Sequence, residues 1–270
     1  MPTIRPPAVA GRYPGAAFYP ADPVELRDLV DFLLARADAS ARSEPRSGSP
    51  KALIAPHAGY QYSGPVAASA YARVDPGGIR RVVLLGPAHR VPVRGLAAPC
   101  VDAFATPLGP VPLDRAALAD AVRLAQVGRS DPAHADEHSL EVQLPFLQRR
   151  LGSFELVPLV VGDAEPEEVD EVIEALWGGP ETLVVVSSDL SHYLDYETAR
   201  RVDARTTRAI EALAPEAIVQ DQACGCIPVQ GLLLAARRHG LRARALDVRS
   251  SGDTAGPRDR VVGYGAYVLA

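Results

Sequence analysis

Short apolar runs at about 52–55, 82–86, 156–161, 182–187, 242–247 and 261–269 read as buried strands. Between them, apolar residues recur at helical spacing over about 64–73, 114–127, 139–151, 166–177, 195–213 and 229–239. A further helix begins at Asp22, with Leu26, Leu29, Val30, Leu33 and Leu34 on one face and Pro23 in its first turn. Strands alternating with helices predict βαβ units, and so an α/β fold with a mostly parallel central sheet flanked by helices. The segment from Val93 to Leu113, with Thr106-Pro107-Leu108-Gly109-Pro110 near its end, reads instead as a β-hairpin excursion. Residues 1–21 form an irregular arm rich in Pro, Gly and Tyr, and 40–50 a mobile loop. All of it, 1–270, is expected to be one domain.

Three of the strands run directly into a histidine: Leu53-Ile54-Ala55-Pro56-His57, Leu84-Leu85-Gly86-Pro87-Ala88-His89, and Val186-Ser187-Ser188-Asp189-Leu190-Ser191-His192. Reactive groups of open α/β sheets collect beyond the carboxyl ends of the strands, so these imidazoles are expected to converge although far apart in sequence. Asp189 is placed to accept a hydrogen bond from an imidazole and raise its basicity, or alternatively to cap a helix.

Cys224-Gly225-Cys226-Ile227-Pro228 precedes the last helix. A cysteine there would have its thiolate stabilised by the helix dipole and would serve as a metal ligand, the histidines being available to join it. Cys226 and Cys100 read as structural. In His134-Ala135-Asp136-Glu137-His138-Ser139-Leu140-Glu141, Ser139 is a candidate N-cap, and Glu137, His138 and Glu141 are candidates for the pocket wall. His239, before Gly240, belongs to a helix C-terminus.

Composition removes several alternatives. With 28 Lys and Arg against 33 Asp and Glu, the chain has no general attraction for phosphate backbones, and no nucleic-acid partner is expected. No apolar stretch approaches the roughly 20 residues of a membrane helix, and the N-terminus lacks a signal-peptide core. A cytoplasmic protein without a membrane partner is expected, its three cysteines reduced. Neither a dinucleotide or phosphate-binding glycine loop nor a Gly-x-Ser-x-Gly elbow is present.

Taken in order, Ala55-Pro56-His57-Ala58-Gly59-Tyr60 with Tyr62-Ser63-Gly64, Leu85-Gly86-Pro87-Ala88-His89, Thr106-Pro107-Leu108-Gly109, Glu137-His138-Ser139-Leu140-Glu141 with Leu144-Pro145-Phe146, Ser187-Ser188-Asp189-Leu190-Ser191-His192 and Cys224-Gly225 resemble the signature blocks of the Memo family. The resemblance spans nearly the whole chain. It implies a fold similar to the LigB-type class III extradiol dioxygenases, which use non-haem Fe(II), and metal ligands at His57, His89 and Cys224. It further implies that His192, with Asp189, handles protons, and that Tyr62 lies in the pocket. A thiolate in place of the dioxygenase carboxylate makes the site softer, so Cu or Zn joins Fe(II) among the expected metals. Bacterial members are also known as protein B of the AmmeMemoRadiSam system, which implies AMMECR1-like and radical SAM protein partners. The leading expectation is dioxygen-dependent oxidation of a small aromatic or other organic substrate. The rivals are a non-catalytic iron or copper protein and a peptide-binding module on the same scaffold.

Overall fold

The computed structural model describes residues 3–8, 18–41 and 49–270. Most of the 40–50 loop and part of the 1–21 arm lie outside these residues. The chain opens with β1 (Ile4–Arg5) and α1 (Pro23–Ala41), then β2 (Ala52–Ala55), α2 (Tyr60–Tyr71) and β3 (Arg81–Pro87). Three short strands follow, β4 (Leu96–Ala98), β5 (Ala103–Thr106) and β6 (Gly109–Pro112), then α3 (Arg115–Ala121) and β7 (Val127–Arg129). Next come α4 (Asp131–Ala135), α5 (His138–Glu141), α6 (Leu144–Leu151), β8 (Glu155–Val161), α7 (Pro166–Ala175) and β9 (Thr182–Ser187). The chain closes with β10 (His192–Leu194), α8 (Tyr196–Glu211), α9 (Cys226–Arg238), β11 (Ala243–Ser250) and β12 (Val261–Leu269).

The large sheet runs β10-β12-β2-β9-β3-β8-β4-β7, with β11 on β12. Its centre, β2-β9-β3-β8, is parallel, as the strand and helix alternation predicts. These strands are buried on both faces, which is why they read as unbroken apolar runs. The flanks differ: β12 is antiparallel to β2, β10 and β11, and β4 is antiparallel to β8. Sequence alternation carries no information about that reversal, because β12 arrives from a hairpin-like return and not from a crossover helix. The result is a mixed α/β fold with a large central sheet flanked by helices. Among them α1 packs on α2 and α6, and α7 packs on α9, which lies against β3 and β9.

The predicted hairpin excursion is present as β5-β6, closed by Pro107 and Leu108, with Gly109 at φ +114° where a side chain would be strained. Its first part, Leu96–Ala98, instead joins the large sheet. The predicted helix over 139–151 is broken into α5 and α6, and the one over 114–127 ends at Ala121. In the arm, Ile4 and Arg5 add a parallel strand to β5, and Arg5 and Tyr19 are buried.

Register places the site. Ala55 of β2 lies opposite Ser187 of β9, and Leu85 of β3 lies opposite Val186. His57, Asp189 and His89 each follow these positions by two to four residues, so three adjacent parallel strands deliver them to the same end of the sheet.

Candidate metal centre

Four of the six histidines in the chain, His57, His89, His138 and His192, line one cavity of about 790 Å³ together with Asp189 and Cys224. Ring centroids lie 5.2 Å apart for His57 and His89, 5.4 Å for His57 and His138, and 4.5 Å for the stacked pair His89 and His138. Ring nitrogens of these three approach within 4.8 Å of one another, the spacing of donors around one metal ion. Cys224 Sγ lies 3.3 Å from His57 Nε2. Two ligands sharing a metal at about 2.0 Å for nitrogen and 2.3 Å for sulfur have that separation between them.

Hydrogen bonding fixes the imidazoles in the form a metal requires. The Ser187 hydroxyl donates to the Ser139 carbonyl at 2.5 Å and accepts from Gln143 Nε2 at 2.8 Å. Its one proton is thus committed, so His57 Nδ1, at 2.8 Å, donates to it and Nε2 keeps a lone pair toward Cys224. His89 Nδ1 donates to Glu137 Oε1 at 2.9 Å, leaving its Nε2 free. His192 Nδ1 donates to the Leu190 carbonyl at 2.8 Å, which leaves its Nε2 outside that bond. His138 Nδ1 is buried without a hydrogen bond and sits 3.4 Å from Glu137 Oε1. An unpartnered imidazole nitrogen beside two oriented donors fits a missing ligand better than it fits a finished core.

Titration behaviour follows from this packing. Burial, reinforced by the neighbouring imidazoles, pushes His57 and His138 down to about 3, which keeps both neutral. Burial alone would raise the Glu137 carboxyl, but hydrogen bonds from the His89 ring and from the Ser139 and His89 amides hold it down to about 2. Asp189 is raised by burial. At Cys224 the surroundings oppose the thiolate that a helix dipole would favour. Burial first, and then the nearby Asp189, push its thiol well up, against the hydrogen bond that Sγ accepts from the Asp189 amide. A metal must therefore displace the thiol proton on binding.

Two glycines permit the assembly. A Cβ on Gly86 would come within 2.7 Å of Ser139 Oγ and 2.9 Å of a Leu140 methyl, so its absence lets α5 lie against β3 and bring His138 to His89. A Cβ on Gly225 would come within 2.7 Å of Ser188 Cβ, and the Gly225 amide donates to Ser188 Oγ at 3.0 Å. That contact seats Cys224 on the β9 end.

Other sequence candidates support the site or lie outside the cavity wall. Asp189 Oδ1 accepts the main-chain N–H of His57 at 2.8 Å, so it positions that residue's backbone and not its ring. Glu137 orients His89 from behind. Glu141 lies outside the cavity wall: its carboxylate takes Arg5 Nη1 at 2.6 Å, the Ala8 amide at 2.7 Å and the Tyr19 hydroxyl at 2.5 Å. Tyr62 is packed against the core and is likewise outside the wall. Ser139 does not cap α5; Glu137 does, accepting from the Ser139 amide, while Ser139 Oγ donates to the Pro87 carbonyl. Ser187 and Gln143, which set the His57 tautomer, were not legible as site residues. Their one signal is polarity inside otherwise apolar surroundings.

A mixed α/β fold whose parallel strand ends carry a four-histidine pocket with a cysteine defines a candidate metal-binding class. Comparison narrows it: the Memo-like protein family model matches residues 5–268, and the chain belongs to that family. A "MEMO1 family protein" of Methanopyrus kandleri is 36% identical, covering 98% of each chain. One from Aquifex aeolicus is also 36% identical, over 97% of each, and one from Aeropyrum pernix is 38% identical over 97% of this chain and 98% of its own. A solved structure of an uncharacterized protein from Escherichia coli K12 superposes with a TM-score of 0.48 at 13% identity, over 80% of this chain and 98% of that one. Among the described residues no helix is long and apolar enough to cross a membrane.

Proposed function

We propose that the chain is a non-haem metal protein in which His57, His89 and Cys224 hold Fe(II), with His138 as an adjoining donor, and that it oxidises a small organic substrate with dioxygen. The observation that carries this reading is the grouping of three imidazoles, His57 and His89 oriented by hydrogen bonds and His138 beside them, with Cys224 Sγ 3.3 Å from His57 Nε2, in one cavity. When bound, Fe(II) supplies Lewis acidity and redox chemistry with dioxygen.

The chain's own groups do the rest. Ser187 and Glu137 hold His57 and His89 with their Nε2 lone pairs inward. Cys224 gives up its proton and contributes one negative charge. His192, anchored through Nδ1, presents Nε2 to accept a proton from an acidic hydroxyl of a substrate in the cavity and return it later. The cysteine among imidazoles also favours a second reading, a copper-handling protein without turnover, since soft donors select Cu(I).

Elemental analysis of protein purified without added metal tests the proposal. Near-stoichiometric iron in the wild type, lost in His57→Ala, His89→Ala and Cys224→Ser and reduced in His138→Ala, is expected. Metal content indifferent to these changes overturns it, and copper in place of iron selects the second reading.

A further inference from the structure

The cavity is graded from its floor to its mouth. His57 and Asp189 are almost fully buried, whereas Tyr193 and Val219 are exposed to 63% and 55%. Both exposed side chains line the same cavity as the histidines, so the apolar body of a ligand seated there would cover them. Tyr193 adds strain to exposure. Its φ is +61°, a left-handed conformation that costs a bulky residue energy, and the Arg260 guanidinium lies 4.5 Å above its ring. Such strain is retained where the surroundings hold a side chain in a useful place.

Val202 and Arg205, which also line the cavity, stand three residues apart on α8, and so share one helix face turned to it. Arg205 brings a guanidinium to the cavity lining. It is exposed and makes no ion pair among the described residues, although Asp221 lines the same cavity. Some surface arginines are paired with carboxylates, as in Arg149 with Asp31 and Arg237 with Glu216, and among the described residues others, such as Arg27 and Arg208, are not; Arg205 differs from these in lining the cavity. An unpaired guanidinium next to exposed apolar side chains is complementary to an organic acid, a carboxylate carried on an apolar body.

We infer that Arg205 is the anion-recognising residue of this cavity, and that the ligand is an apolar organic carboxylate whose body rests against Tyr193, Val219 and Val202 while its reacting end reaches the histidines. This deepens the metal-protein reading above by naming the substrate class of the same cavity. A free inorganic anion would use Arg205 but not the apolar wall, and a neutral aromatic the wall but not Arg205.

The test is titration of chelator-treated protein, followed by ligand-observed NMR, with benzoate, its neutral isostere benzamide, and inorganic phosphate. Benzoate is expected to bind about tenfold more tightly than benzamide or phosphate, the preference a charge-assisted hydrogen bond confers. Arg205→Gln should erase that preference, Arg205→Lys should keep most of it, and Arg208→Gln, on the same helix but outside the cavity wall, should leave it unchanged. Equal binding of benzoate and benzamide, phosphate binding as tightly as benzoate, benzoate binding that survives Arg205→Gln, or no binding of benzoate would each overturn the inference. Because no metal is present in the titration, its outcome is independent of the metal-content measurement, and either can fail alone.

Discussion

One helical turn, α5, separates two buried carboxylates that do opposite work. Glu137, at its start, faces the imidazoles and takes the His89 ring, the His89 amide and the Ser139 amide. Glu141, at its end, faces the N-terminal arm and takes Arg5, Ala8 and Tyr19. Arg5 in turn donates to the main-chain carbonyls of His134 and Glu137, so the arm grips the segment that carries His138. The comparison teaches that identical chemistry at nearly identical burial is a fastening on one side and a tuning element on the other. The partner decides: a permanent cation pins structure, whereas an imidazole with a free second nitrogen is held for a further ligand.

The largest effect is expected on the fastening side. Glu141→Gln leaves the buried Arg5 guanidinium without its counter-charge, and breaking a buried pair in this way costs about 3–5 kcal/mol. Chemical denaturation should show that loss, and adding Arg5→Leu to Glu141→Leu should restore part of it. A loss under about 1 kcal/mol would mean that the arm is not an integral part of the fold. On the tuning side, Glu137→Gln should cost less stability but lower metal affinity about 10–100-fold, because the His89 ring loses the partner that fixes its tautomer. Equilibrium competition with a chromophoric chelator measures it. Were Glu141→Gln to weaken metal binding as much at equal folded fraction, the division of labour would be wrong.

Legibility followed the same divide. The strands, the helices and the convergence of His57, His89 and His192 were readable because buried parallel strands announce themselves as apolar runs and their carboxyl ends are a known meeting place. The sequence also singled out His138 and Glu141 together, but ranked neither above the other. Only the packing separates them, since His138 turns to the cavity and Glu141 to the arm. Cys224 was legible as a residue of the cavity, but the burial and the nearby Asp189 that push its thiol up were not: a helix dipole is a local property readable from position, whereas these are tertiary. Arg205 gave no signal at all among the many arginines of the surface helices. What distinguishes it is its place in the cavity wall, which is a property of the folded chain.

Acidification probes the fastening side of α5 through His134, whose carbonyl Arg5 grips. Its Nε2 donates to the Ala97 carbonyl at 3.0 Å, its own carbonyl accepts from Arg5, and burial pushes its pKa down to about 4. The unfolded chain, with an ordinary histidine near 6.5, binds more protons than the folded one as pH falls from about 6.5 to 4. Stability from this group is therefore present above that window and lost on descending through it. By pH 5 the loss from His134 alone should be about 1–2 kcal/mol. His134→Gln, which keeps a donor for Ala97, should flatten the decline by that amount in denaturant titrations of metal-free protein at pH 7 and pH 5. An unchanged pH slope would show that the ring is already protonated in the fold.

The smallest effect sharpens the contrast by removing burial while keeping the chemistry. Arg149 meets Asp31 through two hydrogen bonds, Nε to Oδ1 at 2.7 Å and Nη2 to Oδ2 at 2.9 Å, joining α6 to α1. Its geometry is at least as good as that of Arg5 with Glu141, but the two side chains are 37% and 44% exposed, against 5% and 0% for the buried pair. Water solvates both ions once they separate, and the unpaired partner is not stranded. Arg149→Ala should thus cost at most about 1 kcal/mol, falling further at high salt, where the Arg5 and Glu141 pair is unmoved. A double-mutant cycle at low and high ionic strength reads the difference. If the exposed pair proved as costly to break as the buried one, desolvation would not be the reason the arm holds.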